Sequence, residues 1–265
     1  MEITSQSAAG QLQGNVLFYS RPEPLSVDAH GKLGLRRVDT PFSFAARSQV
    51  TPLTVAEFPN AALCYPIIFA GENYQPLAVM GVSANSNLFI TKDGTFEAGA
   101  YIPAYIRRYP FVLANDSNNE QLVVCIDREA SMVGELPDLA FFDGAGQPTE
   151  YTRNCIQFCN DFEVEIRRTE SFVKVLRDND LFETRVSQYT PPNPDGTAGA
   201  PQTVAEFYAV SETKLKALPP EKLSELMQNG ALPQIYAHLT SLNGWDRLIS
   251  LTLARNAMPR PANLN

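Results

Sequence analysis

The chain has 265 residues, 44% of them hydrophobic and 19% charged, with a formal net charge of −8. That length and composition support a folded globular protein with a sizeable core and exclude a disordered chain. The acidic balance repels phosphate backbones, so no nucleic-acid partner is expected.

The first twenty residues, MEITSQSAAGQLQGNVLFYS, have no basic stretch followed by an apolar run, and so do not read as a signal peptide. No stretch approaches the roughly 20 apolar residues of a membrane span. Cys64, Cys125, Cys155 and Cys159 then read as reduced thiols, which places the protein in the cytoplasm. Residues 1–50 read as an irregular N-terminal arm, anchored through Phe42, Phe44 and Leu53. Residues 51–255 read as a single α+β domain and 256–265 as a disordered tail.

From residue 58 onward, short apolar runs alternate with turn formers. LCYPIIFA, PLAVMGV, NLFIT, PFVLA, QLVVCID and LAFFD predict strands, separated by GENYQP, SANSN, KDG, NDSNNE and DGAG. The short spacing favours antiparallel hairpins over parallel crossovers. After Thr149 the apolar period changes to three and four: Tyr151, Cys155, Phe158, Cys159, Phe162, Ile166, Val173 and Leu176. This predicts a long amphipathic helix over 149–179, with Thr149 as its N-cap. ETRVSQY and VAEFYAVS predict two strands flanking the flexible loop TPPNPDGTAGAPQ. A cluster of helices then follows, punctuated by Pro220, Gly230, Pro233 and Asn243-Gly244.

The first half contains an internal repeat. Phe58–Ala70, FPNAALCYPIIFA, aligns with Ile102–Ala114, IPAYIRRYPFVLA, at a constant offset of 44 residues. Pro59 matches Pro103, and Tyr65-Pro66 matches Tyr109-Pro110. The repeated unit, about 56–99 and 100–150, reads as short helix, Tyr-Pro, strand, turn, strand, loop and strand. The shared prolines are structural punctuation: a proline is tolerated where a helix starts and drives the preceding residue into extended backbone. The expected fold is a mostly antiparallel sheet built from these two helix-plus-strands repeats, with the long helix and the C-terminal helical cluster packed on it.

The differences between the copies mark candidate binding residues. Ala61, Leu63 and Cys64 of the first copy become Tyr105, Arg107 and Arg108 in the second. Tyr101, Tyr105 and Tyr109 are four apart and would share one helical face. Such a cluster can grip a carboxylate or phosphate, or stack on a ring. Alternatively, the arginines form internal salt bridges to Glu97, Asp127 or Glu129. Tyr101, Tyr105, Arg107, Arg108, Tyr109 and Asp127 are therefore the candidate binding set.

Other features read as structural. Cys155 and Cys159 lie on the apolar face of the long helix, away in sequence from His30 and His238, and predict core packing rather than a metal site. Asp127 and Glu129 end a strand and could serve acid–base chemistry, although charges are common there. His238 predicts a structural histidine. No nucleophile motif and no phosphate loop is present, and no cofactor is expected.

TPLTVAEFPNAALCYPIIFA, AYIPAYIRRYPFVLA, LVVCID, FFDGAGQPT, FYAVSETKLKAL and ELMQNGALPQIYAHLTSL, in this order, resemble the SapC family of bacterial proteins over roughly 45–250. The family's name links it to surface layers. Its genes often lie near flavin-dependent halogenase-like proteins, cupin-like proteins and TonB-dependent receptors. The resemblance thus implies an accessory role beside such a system and carries over no catalytic residues. The expectation is a non-catalytic binding protein with a small-molecule or protein partner. The alternatives are an enzyme using a Tyr/Arg/carboxylate cleft and a surface-layer component.

Overall fold

The computed structural model describes residues 17–82, 85–115, 122–190, 197 and 199–257. Residues 258–265 of the expected tail and much of the TPPNPDGTAGAPQ loop lie outside the described residues, as do residues 1–16 of the arm, whereas 256 and 257 of the expected tail continue the last helix. Among the described residues the architecture is α+β, with three antiparallel sheets.

The arm supplies β1 (Pro22–Pro24), a one-turn helix α1 (Val27–His30) and β2 (Leu33–Leu35). Next come β3 (Val50–Pro52), a 3-10 turn at Val55–Glu57, and α2 (Phe58–Ala61), which leads into the hairpin of β4 (Ile67–Ala70) and β5 (Gln75–Val79). The second helix-and-hairpin segment is α3 (Ala104–Arg107), β6 (Phe111–Asn115) and β7 (Leu122–Asp127). The short strands β8 (Val133–Glu135) and β9 (Leu139–Ala140) precede the long helix α4 (Glu150–Asp178). A third hairpin, β10 (Phe182–Tyr189) and β11 (Gln202–Val210), leads to α5 (Glu212–Lys216), α6 (Pro220–Gln228), α7 (Ala231–Ser241) and α8 (Gly244–Ala257).

The two helix-and-hairpin segments enter different sheets. β4 and β5 sit inside the five-stranded order β10-β11-β4-β5-β3, whereas β6 and β7 pair with β1 in a sheet of three. A third sheet has β2 between β8 and β9. Gly34 makes that last arrangement feasible: a Cβ there would lie 2.1 Å from the Leu139 carbonyl oxygen.

NLFIT does not form the expected strand. It closes a small loop through the isolated bridge between Ile90 and Phe96. The reason is local: the Asn87 side chain accepts from the Phe89 amide (2.9 Å) and donates to the Ala45 carbonyl (3.2 Å), taking the place of a ladder partner. In LAFFD, similarly, only Leu139–Ala140 is strand.

The long helix fits its prediction. Thr149 Oγ1 accepts from the Thr152 amide, and the apolar stripe faces inward over a length of about 43 Å. It spans two cores. Near its start, Cys159 packs with Phe111, Ile126 and Phe141, between the two small sheets. Near its end, Phe172, Val173 and Leu176 join Phe58, Phe69 and Ile235 in the main core beneath the five-stranded sheet. Between them, Thr169 Oγ1 accepts from the Val55 amide at 2.8 Å.

Helix α7 stitches the central sheet where β11 and β4 separate. Val210 N–H donates to His238 Nε2 (3.1 Å) and Ile67 N–H to Ser241 Oγ (2.9 Å). His238 is therefore structural. An Nε2 that accepts from an amide carries no proton, and burial lowers the pKa of this imidazole to about 3. An unfolded histidine titrates near ~6.5, so below that pH the unfolded state takes a proton that the native state refuses. Stability is complete above ~6.5 and falls with acidification, by roughly 2 kcal/mol between about pH 6.5 and 5. Urea melts of the wild type across that range should show the loss. His238→Gln, which keeps an acceptor for Val210, should flatten this part of the slope.

Candidate functional site

The stretch from Tyr101 to Pro110 does not build one tyrosine face. Pro103 is the N-cap of α3 and Pro110 follows its end, so the helix holds only Ala104–Arg107. Tyr101 and Tyr109 fall outside it. The six candidate residues divide into three groups instead.

The first group is Tyr101 and Arg107, and it centres on a residue the candidate set omits. Glu57 is buried at the end of the 3-10 turn. Its Oε2 accepts from the Thr54 amide (2.8 Å) and hydroxyl (2.9 Å). Its Oε1 accepts from the Ala104 amide (2.6 Å) and the Tyr101 hydroxyl (3.0 Å). This carboxylate thus caps its own turn and also holds the start of α3. The sequence signal was available: Thr54-x-x-Glu57 ahead of an apolar run is a capping box. Burial and the Glu57 carboxylate push the Tyr101 phenol up to about 12. Arg107 is exposed. It donates to the Ile102 carbonyl (3.0 Å) and to the Tyr101 hydroxyl (3.3 Å), and lies 5.2 Å from the Phe158 ring centroid.

The second group is Tyr105 and Arg108. Adjacent helical residues point about 100° apart, so Arg108 turns inward where Arg107 turns out. It is 8% exposed and boxed by aromatic rings, with its guanidinium carbon 4.0 Å from the centroid of Tyr105, 4.8 Å from Phe162 and 5.8 Å from Tyr19. Tyr105 is buried and donates to the Leu17 carbonyl at 3.4 Å. The expected salt bridges to Glu97, Asp127 or Glu129 do not form: among the described residues neither arginine reaches a carboxylate. The Asp127 carboxylate, the buried one of the three, is already engaged elsewhere.

The third group is Tyr109 and Asp127. Asp127 is 0% exposed and accepts four hydrogen bonds. Oδ2 takes the Ser20 amide (3.0 Å) and the Tyr109 hydroxyl (3.1 Å), and Oδ1 takes the Arg21 amide (2.9 Å) and the Glu129 amide (3.2 Å). It thereby pins the arm where β1 pairs with β7, Pro22 opposite Asp127. Burial and this carboxylate push the Tyr109 phenol upward. Tyr109 stacks on Phe44 with centroids 4.0 Å apart and meets Tyr19 edge-on at 5.2 Å. Tyr19, from the arm, thus touches both the second and third groups. Its hydroxyl donates to the Phe111 carbonyl at 2.6 Å, and burial raises its pKa. The sequence pattern held no sign of Tyr19, because its partners lie about a hundred residues away.

Nearby thiols are protonated. Burial raises Cys125 to about 11 and Cys159 to about 12, the latter in spite of Arg108. Among the described residues no group of three or more His, Cys, Asp or Glu side chains is placed to hold a metal ion, and no helix is long and apolar enough to cross a membrane. A separate open recess of about 210 Å³ is lined by Tyr74, Arg177, Asp180, Phe182, Glu183, Thr184 and Tyr208, and none of the candidate residues lines it.

The SapC family model matches residues 25–248, most of the chain. The chain belongs to the SapC family. The match begins in the arm just after β1, earlier than the resemblance suggested, and so includes strand β2 as well as the candidate residues. No curated protein and no solved structure gives a match.

Asp127→Asn keeps the side chain's shape but removes its charge and one acceptor. It should destabilise the protein by roughly 2–4 kcal/mol and release the arm first. Limited chymotrypsin digestion should then cut after Tyr19, in the released arm, much faster than in the wild type, under conditions where α4 stays protected.

Proposed function

We propose that this SapC-family chain is a non-catalytic binding or accessory protein, acting in the cytoplasm with a small-molecule or protein partner of a bacterial uptake or modification system. One observation carries the non-catalytic half of this reading. The two buried carboxylates beside the tyrosines and arginines, Glu57 and Asp127, each accept four protein hydrogen bonds. A carboxylate so engaged holds neighbouring chain segments in place, and its acceptor positions are already taken by protein donors. The neighbouring thiols are protonated and so are poor nucleophiles. The enzyme reading would draw on Asp127 or Glu129, and the engagement of the Asp127 carboxylate speaks against the first of these.

The binding half rests on the copy-specific residues. We read the two helix-and-hairpin segments as copies of one unit. The first copy builds its helix and hairpin without the tyrosine and the two arginines that the second has at the matching positions, so these are free to serve recognition. The partner would come from the kinds of protein that accompany the family: halogenase-like, cupin-like or TonB-dependent receptor systems.

The test is purification of the tagged full chain from its source cells, with mass spectrometry of the proteins and small molecules that accompany it. The wild type should bring down a companion. The Arg107→Ala/Arg108→Ala double variant should recover about tenfold less, the loss expected when about 1.4 kcal/mol of binding is removed. Equal recovery from both, with the variant's melting curve unchanged, would take the cluster out of binding. Turnover of a companion small molecule by the wild type would overturn the non-catalytic reading.

A further inference from the structure

We propose that Arg108 is the anchor of an oxyanion site, and that the ligand of this protein presents a carboxylate or a phosphate to it beneath the N-terminal arm. This rests on the binding reading above and names the chemistry of the ligand.

The decisive observation is which atoms of Arg108 lack partners. Nε and Nη2 are both shut off from solvent and both without a hydrogen-bond acceptor. In the planar guanidinium these two nitrogens direct their N–H bonds from the same edge. That edge is the fork to which a carboxylate or phosphate docks with two parallel hydrogen bonds. The group is flanked by aromatic rings, with Tyr105 at 4.0 Å and Phe162 at 4.8 Å. Ring faces attract the charge but accept nothing in the guanidinium plane. The Tyr105 hydroxyl donates to Leu17 and its interaction with Arg108 leaves Nε and Nη2 unpartnered, and Asp127 is committed to Ser20, Arg21, Tyr109 and Glu129.

A permanently charged group in this state is costly to the fold. Apolar side chains in its place are commonly neutral or stabilising. The matching position 44 residues earlier carries Cys64, which shows that the local turn does not need an arginine. An oxyanion on the fork would relieve the cost, and the aromatic walls suit the apolar body of an organic ligand. Entry requires that the segment 17–19 lift. The bonds from Ser20 and Arg21 to Asp127 would hold the rest of the arm in place while it does so. The Tyr105–Leu17 bond, long at 3.4 Å, is the weak end of the closure.

The test uses the full chain dialysed into buffer free of carboxylate and phosphate. Thermal shift and calorimetry are run with inorganic phosphate and with sodium benzoate as separate probes, against sodium chloride at equal ionic strength. The wild type should bind one equivalent of at least one probe and melt higher with it. A response to phosphate alone points to a phosphorylated ligand and a response to benzoate to a carboxylate. Arg108→Lys keeps the charge without the fork and should weaken binding about tenfold or more. Arg108→Met should abolish it while melting, in anion-free buffer, no lower than the wild type. Lys222→Met, on the exposed face of α6, is the control and should bind normally. The proposal is overturned if neither probe exceeds the chloride control, or if Arg108→Met responds like the wild type. It is also overturned if Arg108→Lys binds as tightly as the wild type. Any of these results, with a companion still lost from the double variant, would remove the oxyanion and leave the binding reading standing.

Discussion

The buried carboxylate of Asp127 is the constraint on which the arrangement depends. It ends β7, and through four donors it fixes the backbone of the arm, the turn after the strand and the ring of Tyr109. Each bond is charge-assisted, and together they replace the water that an isolated carboxylate would need. With Ser20 and Arg21 held, Tyr19 and Phe18 must lie over Arg108 and Tyr105, within ring-contact distance. Glu57 plays the equivalent part on the other side of α3, binding the capping turn, Tyr101 and the first amide of that helix.

Arg107 and Arg108 show how little adjacency in sequence says about environment. One side chain is at the surface with its N–H groups on a carbonyl and a phenol, and the other is enclosed by three rings with an empty fork. The difference follows from the step of about 100° between adjacent helical positions.

The parts of the fold that are written in local period were legible. The apolar spacing gave α4 to within a residue at each end, and Thr149 caps it as its side chain demands. The alternating runs gave the β4–β5, β6–β7 and β10–β11 hairpins. What the pattern could not carry is the choice of distant partner. Nothing local says that β6 and β7 pair with the arm rather than with β4, or that Tyr19 sits beside Arg108. The NLFIT run has the composition of a strand, but the Asn87 side chain satisfies the backbone first. Of the candidate residues, Arg108 and Asp127 emerged as special for reasons opposite to those expected: neither pairs with the other, because Asp127 is saturated by neutral donors.

The pairing of the arm with β7 also orders events in time. The amide of Arg21 and the carboxylate it binds are 106 residues apart. A ribosome adding about 5–20 residues per second needs roughly 5–20 s to bridge that distance. During that interval the arm has emerged but has no edge to join, while the α2–β4–β5 segment can already close on itself. The arm must therefore dock late, after the strands it covers, and Tyr19 comes to rest on Arg108 only then. The closure over the guanidinium is in this sense a seal added to a body that is already formed.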